Sequence, residues 1–312
     1  MNAKAVAEYL KQHDHYLLLT HARPDGDTLG SAGALCSALR RMGKQACLLK
    51  NEEATEKYLP FVGGYFAPVD YVYDKVVAVD TADVTMFPKS FEGSVDLCID
   101  HHGSNSGYAA NTFVSPHTAS CGELMLQVIE ALCGDVTKEE ADLLYIAVST
   151  DTGCFQYMNT NGDTLRAAAK LVDYGADNGK LNVLLFRSVA KERIMLESMI
   201  YNRMQFHRDG KIAIALITKD MIDASGAQPK DMDDLANLAG RPEGVIVAVT
   251  VKETDEGESK LSLRSKPPVN VSNVCAKFGG GGHTMAAGCK ISADVETAAA
   301  MVLAAICEEW PA

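Results

Sequence analysis

A chain of 312 residues with 47% apolar content has room for two folded units and enough apolar surface to fill their cores. Its formal charge of -12 argues against a broad basic surface for long nucleic acid and leaves short anionic ligands, met by cations supplied locally. No apolar run approaches the ~20 residues of a membrane span, a signal peptide's basic start and apolar core are missing, and nine cysteines without a CxxC pair fit reduced thiols, so a cytoplasmic protein with no membrane partner is expected.

Residues 3–13 read as a helix and residues 16–20 as an apolar strand that delivers His21, Arg23, Pro24, Asp25, Gly26 and Asp27 to its C-terminal end. One imidazole and two carboxylates on a loop bent by Pro24 and Gly26 can aim at a common centre, as no helix or strand face would allow. Asp27 could equally cap the helix that follows over 28–42 and closes with Gly43. Residues 45–49 form a second strand, and 51–75 a turn-rich connection. Two further strands end on side chains of the same kind, 76–79 on Asp80 and 95–99 on Asp100, His101 and His102.

In open α/β sheets, sites form outside the carboxyl ends of parallel strands. Strands alternating with helices would bring His21, Asp25, Asp27, Asp80, His101 and His102 to one rim. Residues 121–132 have helical spacing, and Thr137 with Glu140 has the pattern of a capping box opening another helix, which runs to Asp151 and Gly153. Asp151 is thus another carboxylate at the end of an element, read as a ligand in this company and as a turn residue if taken alone.

Residues 161–175 complete the first half as a helix. The stretch 180–206 reads as one long helix, either an ordinary core helix or a connector between domains. Beyond it, 211–218 and 245–252 are strand-like, 231–239 helix-like, 255–258 a hairpin turn, 260–264 an alternating strand and 293–309 a closing helix. Four consecutive glycines, Gly279 to Gly282, precede His283. Their entropic cost suggests backbone approaching a ligand, with consecutive amides forming an anion nest and His283 adding a donor; a flexible linker is the alternative. The expected fold is α/β: an N-terminal parallel-sheet domain with flanking helices over 1–185, a helical connector over 186–205, and a smaller C-terminal α/β domain with a mixed sheet over 206–312.

His21-x-x-x-Asp25-x-Asp27, Asp80, Asp100-His101-His102 and Asp151 resemble, in order and spacing, the four motifs of the DHH phosphoesterase superfamily. The glycine run with His283, and Arg264-Ser265 upstream, resembles the DHHA1 domain, which family II pyrophosphatases lack. A two-domain chain of this kind is similar to the NrnA-type branch, which degrades very short oligoribonucleotides and dephosphorylates 3′-phosphoadenosine 5′-phosphate (pAp).

The resemblance implies roles. His21 and Asp25 would hold one ion and Asp27, His101 and Asp151 another, with Asp80 bridging. Asp100 would orient an imidazole, and His102 would face the substrate phosphate. Arg264, Ser265, Gly280, Gly281, Gly282 and His283 would hold a phosphate or terminal nucleotide. Carboxylate and imidazole donors without thiolates suit two Mn²⁺, or Mg²⁺, with imidazole favouring manganese. A phosphodiesterase acting on linear or cyclic dinucleotides such as pApA is a second reading, and a noncatalytic nucleotide-binding module a third, disfavoured by so many metal-directed side chains. Cys154 and Gln156 are neutral where many relatives carry a basic residue nearby, which puts the exact substrate in question. A homodimer is compatible with the sequence.

Overall fold

Short apolar runs in the first half pair side by side in one five-stranded parallel sheet, of order β2-β1-β3-β4-β5. Its strands are β1 (Tyr16–Leu19), β2 (Ala46–Leu48), β3 (Lys75–Val79), β4 (Leu97–Asp100) and β5 (Asn111–Val114). Around them run α1 (Ala3–Gln12), α2 (Gly26–Arg41), α3 (Leu59–Val62), α4 (Cys121–Cys133), α5 (Lys138–Asp151), α6 (Gly162–Asp173) and α7 (Asn178–Asn182). The structure, a computed structural model, describes residues 1–232, 235–254 and 256–310. It divides into two compact units, 1–188 and 189–312.

Alternation along the strands sets the two faces of the first sheet. Leu18, Val77, Val79, Leu97 and Ile99 point into a core shared with α1, α2, α4 and α5, while Leu17, Leu19, Val76 and Ala78 meet Phe91 and Val95 on the other side. The helices begin where the sequence supplies caps. Ser120 opens α4, and the expected Thr137–Glu140 capping box opens α5.

The second unit contains α8 (Lys191–Asn202), β6 (Gln205–His207), β7 (Ile212–Ile217), α9 (Lys219–Ser225), β8 (Val247–Glu253), β9 (Ser259–Ser265), α10 (Val271–Ala276), β10 (Gly281–His283), β11 (Ala286–Ile291) and α11 (Val295–Glu309). Its six-stranded sheet has the order β10-β11-β9-β8-β7-β6. It is mixed, with β7 and β8 parallel and the other pairs antiparallel. One face packs on α10 and α11 through Val249, Leu261 and Leu263; on the other, Ala213, Ala215 and Ala248 join Leu196 and Ile200 of α8. No helix among the described residues is long and apolar enough to cross a membrane.

Several expectations need correction. The link from β3 to β4 is a 3-10 turn (Val84–Met86) and loop, without an α-helix. The stretch 180–206 is not one helix: a π-helical turn (Val183–Arg187) follows α7, and Ser188 and Ala190 are extended before α8. Val183 and Val189 are exposed there, so no buried stripe carries the helix across the gap. Nor is the expected 186–205 connector separate, because α8 packs into the second unit's core. The helix expected over 231–239 is instead a pair of 3-10 turns (Pro229–Met232 and Leu235–Gly240), with buried Leu235 and Leu238 at the three-residue spacing of that geometry. Residues 233 and 234 of that stretch, and Asp255 of the expected hairpin turn, lie outside the described residues.

Candidate metal centre

Beyond β1, His21 is tied down through its carbonyl, which accepts from Asn51 Nδ2 at 2.9 Å. Asp25, rather than Asp27, caps α2: its Oδ1 accepts from the Asp27 and Thr28 amides at 3.0 and 3.1 Å and lies 3.6 Å from His21 Nε2. Asp27 therefore falls inside the first turn and reaches across to α4, where its two oxygens accept from the amides of Cys121 at 2.7 Å and Gly122 at 2.9 Å. Those are orphan amides of a helix N-terminus, and they orient a carboxylate that is 1% exposed.

Asp80 follows β3 with a left-handed φ of 56°, sparsely populated for a residue with a Cβ. Its Oδ2 lies 4.0 Å from His21 Nε2, and its Oδ1 lies 3.4 Å from His101 Nε2. That Oδ1 is buried with no hydrogen-bond partner among the described residues. Asp100, at the end of β4, is wholly buried. Its Oδ1 accepts from the His101 amide and from His102 Nδ1 at 2.8 and 2.7 Å, and its Oδ2 accepts from Asn105 Nδ2 at 2.7 Å. Asp151 closes the ring, with Oδ2 3.5 Å from His101 Nε2. It arrives because α5 lies against α2: a Cβ at Gly26 would stand 2.4 Å from Thr150 Oγ1, and one at Gly30 2.4 Å from the Leu143 carbonyl.

So many carboxyls in one place disturb each other's charge. Burial, then Asp151 and Asp25, push Asp27 well above the usual carboxylate range. Burial, then Asp27 and Asp25, do the same to Asp80. Burial and Asp25 raise Asp151 to about 6. Asp100 behaves oppositely: burial would raise it, but the hydrogen bonds from His102 and Asn105 win and hold it below its ordinary value. The same bond raises His102, whereas burial and neighbouring His102 depress His101 and favour its neutral, ligating form.

These residues fit divalent cations. Among the described residues, ligand atoms lie within 4.8 Å of one another in three groups: His21, Asp25 and Asp80; Asp27, His101 and Asp151; Asp80, His101 and His102. The donors are oxygens and imidazole nitrogens; the nearby thiol of Cys121 is directed at the Ile99 carbonyl. A partnerless buried carboxylate oxygen beside mutually repelling acids is the arrangement that a cation stabilises.

Sequence reasoning missed the supporting groups. Ser31, which donates to Asp27 Oδ1 at 3.1 Å, carried the signal of four-residue spacing on one helix face. Asn105 stood in a polar turn just past the histidines. The amides of Cys121 and Gly122 had no side-chain signal at all.

The second set of expected residues falls in the second unit. Arg264, Ala286 and His283 stand opposite one another across β9, β11 and β10. Arg264 and Ser265, with Arg241 and Lys266, line a cavity of about 270 Å³ floored by Val245 and Ala248. Of the glycines expected to form an anion nest, Gly281 and Gly282 lie with His283 on an edge strand paired with β11, and the Gly280 amide donates to the Cys275 carbonyl at 3.0 Å. Cβ atoms at Gly280 and Gly282 would come within 2.3 and 2.5 Å of β11 carbonyls, whereas one at Gly281 would meet nothing within 4 Å.

Residues 15–148 match the DHH family, N-terminal domain, and residues 209–309 the DHHA1 domain. The chain is similar to the bifunctional oligoribonuclease and PAP phosphatase NrnA of Thermus thermophilus, at 33% identity over 312 residues, covering 98% of this chain and 94% of that protein. It is similar also to the Bacillus subtilis protein of the same name, at 25% over 299 residues, 89% of this chain and 90% of the relative. Among solved structures, an exopolyphosphatase-related protein from Bacteroides fragilis shares the fold, with a TM-score of 0.84 at 22% identity over 98% of this chain and 95% of that one.

Proposed function

Because the chain belongs to the DHH family of phosphoesterases and carries a DHHA1 domain, we propose that it hydrolyses very short oligoribonucleotides and pAp with two divalent cations, manganese in preference to magnesium. The observation that carries this reading is Asp80, whose two oxygens face two different ligand groups, one toward His21 and one toward His101. A bridging carboxylate needs that placement. His21 and Asp25 complete the first group; His101, which Asp80 Oδ1 faces, also stands within 3.7 Å of Asp27 and 3.5 Å of Asp151, the three residues we assign to the second ion.

A pair of bound cations would lower the pKa of an attacking water and neutralise phosphate oxygens. The protein's own groups do the rest. The Cys121 and Gly122 amides hold Asp27 in one orientation, and Asp100 fixes His102 by accepting from Nδ1. That bond leaves Nε2 of His102, whose imidazole is raised above its usual range, to carry a proton toward the phosphate or leaving oxygen. The relatives named as oligoribonuclease and PAP phosphatase support the substrate class. Arg264, Ser265, Gly281 and His283 are the groups we assign to a second phosphate or terminal nucleotide, with Arg264 offering a planar fork.

The test is turnover of purified protein with Mn²⁺ or Mg²⁺ against pAp, pApA, cyclic di-AMP, short RNAs of several lengths and pyrophosphate. Rapid hydrolysis of pAp and of RNAs a few nucleotides long is expected. Rapid pyrophosphate hydrolysis with no nucleotide turnover would overturn the reading.

A further inference from the structure

Just past Asp151 the backbone takes a path that most side chains resist. Gly153, Cys154 and Phe155 have φ of 56°, 57° and 66° in succession, a left-handed turn in which two of the three residues carry a Cβ and are strained. The surroundings hold it there. The Cys154 amide donates to the Ser149 carbonyl at 2.7 Å, and the Gln156 and Tyr157 amides donate to the Thr152 carbonyl at 2.9 and 3.0 Å. The Phe155 amide donates to Thr152 Oγ1 at 3.1 Å.

The turn carries two aromatic rings of different exposure, Phe155 packed against the core and Tyr157 exposed. Phe155 faces inward, edge-on to Tyr145 with ring centroids 6.0 Å apart. The Tyr157 ring lies over Gly153, where a Cβ would stand 2.4 Å from it, yet Tyr157 is 59% exposed and the adjoining Met158 103% exposed. Asn159 then ties the segment back to its start, donating through Nδ2 to the Asp151 carbonyl at 3.1 Å and the Ala119 carbonyl at 3.2 Å. Core packing accounts for Phe155. It does not account for a solvent-facing ring clamped onto a side-chain-free seat two residues from a metal-directed carboxylate.

Resting on the function proposed above, we propose that Tyr157, flanked by Met158, is a stacking platform for the nucleobase of the nucleotide whose phosphate lies at the metal cluster. Tyr157 is thereby a specificity-determining residue. An aromatic face stacks on any base, so the platform selects for the presence of a base rather than its identity. Unpaired bases of a short single strand suit it, whereas bases stacked within a duplex do not.

The experiment compares kcat/KM for pAp and for ribose 3′,5′-bisphosphate, which keeps both phosphates and lacks the base. Tyr157→Ala should lose about 10-fold or more on pAp, mainly through KM, while Tyr157→Phe stays within about 2-fold of wild type. All three proteins should hydrolyse the base-free substrate alike. An equal loss on both substrates would mean that the ring shapes Asp151, and no loss on pAp would mean that the base lies elsewhere; either overturns the platform. Wild-type protein that turns over no nucleotide overturns the proposed function and the platform with it, and is told apart because wild type and variants are then equally silent on pAp.

Discussion

In the first unit Asp27, Asp80 and Asp100 are at most 2% exposed and gather at the ends of neighbouring strands, whereas in the second unit Arg264 and His283 stand exposed on strands facing solvent. The difference follows from topology. Parallel β1, β3 and β4 all release their chains at one edge of the sheet, so loops converge there and can bury charge among helix ends. Antiparallel β9, β10 and β11 instead set side chains in register along a face, where they remain separate and hydrated. The first arrangement suits the cations proposed for that unit, and the second suits the phosphate group proposed for the other.

The sharpest break of this contrast is at Asp80. Asp80→Asn keeps a side chain that tolerates the left-handed backbone but removes the charge. It should cost roughly 10³-fold or more in turnover, with loss of bound manganese by metal analysis. Relief of a buried carboxylate whose Oδ1 has no hydrogen-bond partner among the described residues should at the same time raise the melting temperature of the metal-free protein. The two histidines divide next: His101→Ala should lose metal, whereas His102→Ala should keep it and lose roughly 10²- to 10⁴-fold in turnover through the missing proton donor. Equal metal loss in both would remove the division of roles.

In the second unit Arg264→Ala or His283→Ala should leave metal content unchanged and lower kcat/KM for pAp by roughly 10- to 100-fold. Hydrolysis of bis-p-nitrophenyl phosphate should change far less; proportional losses on both substrates would assign these residues to folding or to the catalytic centre.

Titration separates the units again. Asp151 is raised to about 6, and Asp27 and Asp80 shift the same way, all above the ~3.9 of an unfolded chain. A raised carboxyl contributes stability that is complete below about pH 4 and lost as pH rises through its folded value. Metal-free protein should therefore melt at progressively lower temperature from pH 4 to beyond 6, and Mn²⁺ should flatten or reverse that slope in a pH series of thermal scans. The smallest contrast lies within the glycine run. Gly280→Ala should cost about 1 to 3 kcal/mol in denaturant unfolding because it drives a Cβ into the Gly288 carbonyl. Gly281→Ala should stay within about 0.5 kcal/mol.

What the sequence by itself determined was local. Apolar runs ending on Asp80 and on Asp100-His101-His102 marked the strands and the polar side chains they deliver to the sheet edge, and the Thr137–Glu140 box marked the start of α5, because side-chain period and caps act within a few residues. Tertiary structure decided what depends on neighbours through space. It made Asp25 the cap of α2 and turned Asp27 toward the amides of α4. It turned one oxygen of Asp80 toward His21 and the other toward His101, and left the latter without a hydrogen-bond partner among the described residues. The glycine run became an edge strand because β11 lies against it, and the stretch 180–206 broke where Val183 and Val189 stand exposed. Orphan amides, Cβ clearance and the mutual repulsion of buried carboxyls exist only once distant segments touch, so no spacing along the chain encodes them legibly.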